Sequence, residues 1–69
     1  MNKDAEIKRL SGMASKLEAV IASSEARLKS EAFISKAPQK IIDGAKAQLE
    51  VNKTQLEKIK AQIEEMKNL

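Results

Sequence analysis

Apolar residues recur along this chain at alternating intervals of three and four. In the first half the positions are Ile7, Leu10, Ala14, Leu17, Ile21, Ser24 and Leu28. In the second half they are Ile42, Ala45, Leu49, Asn52, Leu56, Ile59, Ile63 and Met66. This is the heptad pattern of helices that wrap around one another. The two frames do not join. Continued from Leu28, the first frame expects apolar seam positions at 31, 35 and 38. It meets Glu31, Ser35 and Pro38 instead. Proline lacks an N–H and disfavours helix at the residue before it. The first helix is therefore expected to end near Glu31. Pro38 is expected in the first turn of the second helix, where its missing N–H costs nothing, with Ala37 as the last extended residue.

Folding the second helix back on the first gives layers whose residue numbers sum to 73. They are Ile7–Met66, Leu10–Ile63, Ala14–Ile59, Leu17–Leu56, Ile21–Asn52, Ser24–Leu49 and Leu28–Ala45. Small residues repeatedly face large ones, which keeps the volume per layer even, as close packing requires. The pattern predicts an all-α fold: an antiparallel two-helix coiled-coil hairpin. One domain spans 1–69, with a helix over about 3–31, a loop over about 32–37 and a helix over about 38–68. Asn52 and Ser24 are the polar members of the seam, and a buried Asn fixes register at a cost in stability. Gly12 and Gly44 each weaken a helix interior by about 1 kcal/mol against Ala, and fraying near the corner is expected at Gly44.

Composition narrows the chemistry. The 69 residues contain no Cys, His, Tyr or Trp. Disulfides and thiolate or imidazole metal sites are excluded, as are the commonest general base and the thiol nucleophile. The remaining carboxylates and hydroxyls sit on a helical pair with no enclosed pocket, so the chain reads as non-enzymatic and without a cofactor. No apolar run is long enough to span a membrane, and the first ten residues lack the apolar core of a signal peptide. A soluble, cytoplasmic chain is expected.

Charge is unevenly placed. Residues 27–46 hold Arg27, Lys29, Lys36, Lys40 and Lys46 against Glu31 and Asp43, while the remainder carries eight basic and eight acidic residues. The net charge of +3 thus lies wholly at the corner. A solvated loop that collected lysines is one reading of this; a cationic tip that meets phosphates is the other. Phe33 and Ile34 also have two readings. They either cover Leu28, Ile41 and Ile42 at the open end of the seam, or present an apolar surface that packs on RNA.

The corner itself, Leu28 through Pro38 followed by Gln39-Lys40-Ile41-Ile42, resembles the C-terminal arm of valyl-tRNA synthetase. That arm reads Leu-x-Asn-Glu-x-Phe-(Val/Ile)-x-Lys-Ala-Pro-x-x-Val-(Val/Ile) between heptad helices. Glu31, Phe33, Ile34, Lys36, Ala37, Pro38, Ile41 and Ile42 match. Ser30 stands where Asn is common, and Gly44 where a charged helix former is usual. The resemblance covers essentially the whole chain. It implies a C-terminal domain excised from a much longer enzyme, without its ATP-dependent catalytic, editing and anticodon-binding domains. It further implies a monomeric, non-catalytic arm that reaches the outer corner of valine tRNA, where the D and T loops meet. Arg27, Lys29, Phe33, Ile34, Lys36, Lys40 and Lys46 would form the RNA contact. A protein-interaction coiled coil is the alternative from another class. A hairpin arm of a translation-associated ATPase or of seryl-tRNA synthetase is a third, against which the Phe-x-x-Lys-Ala-Pro corner speaks.

Overall fold

The structure is a computed structural model and describes residues 2–69. It contains three helices: α1 (Lys3–Lys29), α2 (Glu31–Lys36) and α3 (Gln39–Lys67). The molecule is a rod of 49 × 15 × 14 Å. α1 starts where Asn2 accepts the Ala5 N–H at 3.2 Å. Asp4 and Glu6 sit in its first turn, and Arg27 and Lys29 in its last. Those signs suit the partial charges at the two ends of a helix.

α1 and α3 pack side by side. Leu10, Ala14 and Ile59 form a buried cluster, and Leu17, Leu56, Ile63 and Met66 pack against it. Farther toward α2, Ile21, Leu49, Asn52 and Ile42 are buried as well. All fifteen heptad positions read from the sequence, Ser24 and Asn52 included, are buried or half-buried. The two helix ends farthest apart in sequence meet: Lys3 Nζ donates to the Leu69 carbonyl at 3.2 Å. Nearer the middle of the chain, Lys53 Nζ lies 3.6 Å from Glu25 Oε2. Asn52 is satisfied within its own helix, because Gln48 Nε2 donates to its Oδ1 at 3.2 Å. Among the described residues no side chain is completely enclosed. The seam is one layer thick, as two helices without a third must leave it.

The corner differs from expectation. A loop is predicted over about 32–37, yet residues Glu31–Lys36 are helical. The first helix ends at Lys29 rather than near Glu31. The break is one residue, Ser30, held extended at φ −75° and ψ 120°. Its N–H donates to the Arg27 carbonyl at 3.1 Å, closing α1. Its Oγ accepts the Phe33 N–H at 3.4 Å, opening α2. Serine suits that double position because its short side chain reaches the orphan amides of a first helical turn. Absence of seam residues stops the coil but does not stop a locally capped turn. Pro38 also departs from expectation. At φ −59° and ψ 148° it precedes α3 as the cap rather than lying in its first turn. Ala37 is extended, as a residue before proline should be. α3 then runs unbroken through Gly44.

Candidate nucleic-acid interface

The corner between the long helices carries most of the predicted contact residues. Arg27 and Lys29 lie in the last turn of α1, and Lys36 ends α2. Lys40 is the second residue of α3. All four are exposed. Among the described residues none of them forms an ion pair; the pairs that do form are Arg9–Glu6, Lys53–Glu25 and Lys67–Glu64. The nearby Asp43 carboxylate accepts from Gln39 Nε2 at 2.9 Å rather than from a lysine. The cations at this end are therefore left to solvent or to a ligand.

Lys46 is placed apart from the rest. It is exposed but lies seven residues into α3, about 10 Å along the axis at 1.5 Å per residue. It recurs at intervals of seven with Lys53, Lys60 and Lys67, so it belongs to the flank of the rod and not to its end.

Phe33 and Ile34 take different positions. Phe33 is half-buried, and the Arg27 guanidinium carbon stands 5.9 Å from its ring centroid. A cation over a ring face at this distance is attracted by the ring quadrupole. One face of Phe33 is thus engaged within the chain. Ile34 is 42% exposed and borders a shallow depression with Lys29, Glu31, Ala32 and Ser35. Across the corner, Ile41 is 55% exposed while Ile42 is buried. Of the two isoleucines expected under a Phe33 cover, only Ile42 leaves solvent.

Two features of this end are not read from the heptads. One is the Arg27–Phe33 contact, which joins residues six apart across the Ser30 break; only a helix beginning at Glu31 brings them together. The other is the start of α3. Its cap has no side-chain hydrogen bond, and its first turn has no acidic residue. The Ile41 N–H donates to the Pro38 carbonyl at 3.0 Å, so only the Gln39 and Lys40 amides precede the first backbone bond of α3, and the positive end of its dipole faces the corner. Pro38 is the visible signal for this, because proline has no side-chain acceptor to offer as a cap.

The profile of the valyl tRNA synthetase tRNA binding arm matches residues 2–67. The chain belongs to that family. A search of curated proteins and a search of solved structures return no match. The valyl-tRNA synthetase arm is a tRNA-binding, non-catalytic region of an aminoacyl-tRNA synthetase. Its match extends through both long helices and the corner, so the family assignment does not rest on the Phe-x-x-Lys-Ala-Pro segment alone. Among the described residues of this arm, no helix is long and apolar enough to cross a membrane.

Proposed function

We propose that this chain is an antiparallel coiled-coil arm that carries a basic tip to the outer corner of tRNA and so supports aminoacylation with valine. The observation that carries this reading is the group of four exposed cations, Arg27, Lys29, Lys36 and Lys40, at one end of a long rod, where residues 27–46 hold only two carboxylates, Glu31 and Asp43. Arg27, Lys29, Lys36 and Lys40 meet backbone phosphates, and Ile34 packs at the tRNA elbow. RNA recognition of this kind goes by shape and phosphate placement, with no base readout along the helices. The arm works as a monomer, because its apolar seam is consumed within one chain. Its partners are the valine tRNA and the rest of the synthetase, whose catalytic domain supplies the ATP-dependent chemistry. A cytoplasmic location goes with that role. Alone, the arm binds weakly, with a dissociation constant of about 10⁻⁴–10⁻⁶ M. Tethered to the enzyme, the same contact acts at high effective concentration.

The test is a titration of the arm with tRNA at several salt concentrations. Each lost phosphate contact lowers the log–log salt slope by roughly 0.7–0.9. Replacing Lys36 and Lys40 together by Ala is expected to weaken binding and flatten the slope by about 1.5. A double variant that binds like the parent, with the same slope, removes the tip from the interface.

A further inference from the structure

The two flanks of the rod are built differently. On one flank, α1 presents Glu18 and Glu25 and α3 presents Lys53 and Lys60, each pair seven residues apart. Lys53 Nζ lies 3.6 Å from Glu25 Oε2, the one ion pair between α1 and α3 among the described residues. The other flank has no such rungs. There Met13, Lys16 and Leu17 of α1 and Gln55, Lys58 and Ile59 of α3 line an open groove of about 470 Å³. Gln55 and Lys58 also border a second depression, which holds Val51. Val20 lies two helical turns beyond Met13 and extends the apolar strip on α1. Val20 and Val51 are 49% and 50% exposed, and Met13 is 42% exposed. The large apolar side chains that the stalk leaves in water thus gather on one flank.

The charges on this flank select an occupant. The groove lining contains two lysines and no carboxylate. Among the described residues neither Lys16 nor Lys58 forms an ion pair. Acidic residues appear only toward the ends of the strip. Glu6 and Glu65 lie beyond Met13, with Glu6 held by Arg9, and Glu50 lies beside Val51. A second copy placed face to face would set these lysines against their like. Nucleic acid would leave the apolar floor unmatched. We propose that this flank docks an amphipathic helix of another protein segment, with apolar residues at heptad spacing and Asp or Glu beside them. Apolar side chains of the partner cover Met13, Val20 and Val51, and its carboxylates meet Lys16 and Lys58. The site is separate from the basic corner, so it adds a protein partner to an RNA-binding arm.

The test uses the whole chain, labelled for NMR, and two synthetic helical peptides with the same apolar heptad stripe. One carries Glu at the flanking positions and the other Lys. The Glu peptide is expected to shift Met13, Val20, Val51 and Gln55 and to bind about tenfold more tightly than the Lys peptide, as follows when two exposed attractions become repulsions. Exchanging Lys16 and Lys58 for Glu should reverse that order. Both sites are exposed, so helicity by circular dichroism should be retained; Lys16→Gln with Lys58→Gln serves as the milder variant and should abolish the preference. Failure of both peptides to bind, equal binding of the two, or shifts confined to residues 27–42 overturns the proposal. So does self-association through Val20 and Val51, which assigns the flank to a second copy. Addition of tRNA to the same sample reports on the corner independently. Shifts from tRNA at Met13 and Val51 would give the flank to RNA instead.

Discussion

Arg27 and Phe33 illustrate how one contact changes the meaning of two residues. Sequence leaves Phe33 with a choice between covering the seam and stacking on a base. In the structure it is half-buried beneath the Arg27 guanidinium. Its expected task is to hold that cation in place, a positioning role worth about 0.5–1 kcal/mol at an exposed site. A ring that stacked on a base directly would contribute about 1–3 kcal/mol. A double-mutant cycle separates the two. Phe33→Leu and Arg27→Ala should each weaken tRNA binding, and the double variant should be no weaker than Arg27→Ala alone. Additive losses would mean that Phe33 touches RNA by itself. The positioning role is not legible in the heptad pattern, because the contact depends on Ser30 breaking the helix, whose last residue is Lys29, two residues before the end near Glu31 that the seam predicts. Ser30 is a residue type that caps helix N-termini, a signal which a search for seam residues passes over.

At the level of elements, the long helices were readable because their cause is periodic. Each apolar residue at three-four spacing supports the same face, so α1 and α3 emerge from many consistent positions. α2 was not readable in that way. Its six residues have no buried member, and it stands on a serine cap and on Pro38 ending it. The glycines provide the check on helix strength. A Cβ built at Gly12 or at Gly44 meets nothing within 4 Å. Neither glycine is therefore needed for close approach, and both only weaken the helix. Gly44→Ala is expected to stabilise the chain by about 0.5–1 kcal/mol, and Gly12→Ala by a similar amount. Urea denaturation followed by circular dichroism measures this as a higher midpoint with an unchanged slope. If Gly44→Ala lowers the midpoint, the glycine serves a geometry that the open space around it does not reveal. A loss of tRNA affinity in the stabilised variant would instead point to bending at Gly44 as part of RNA binding.

For the molecule as a whole, the proposed function divides labour between an end that meets RNA and a stalk that sets distance. That division is testable because the stalk is modular. In the layers summing to 73 that the heptads predict, positions 14–20 of α1 pair with 53–59 of α3, each segment one heptad long, and Ala14 and Ile59 share one buried cluster. Deleting both removes matched layers and leaves the rest in frame, from Leu10–Ile63 directly to Ile21–Asn52. The rod should shorten by about 10 Å from its 49 Å length. Gly12→Ala and Gly44→Ala, carried in both the full and the shortened chain, offset the smaller seam, and small-angle scattering checks the length. Binding of isolated tRNA should keep its affinity and its salt slope, because the corner is intact. Binding of the acidic helical peptide should vanish, because Lys16, Val20 and Lys58 are gone. Within the synthetase, the shortened arm should lose its contribution to tRNA affinity, since the contact then falls short of the outer corner. If the shortened chain folds but binds free tRNA less well, the stalk itself touches RNA. The rod would then be a binding surface along its length and not a spacer.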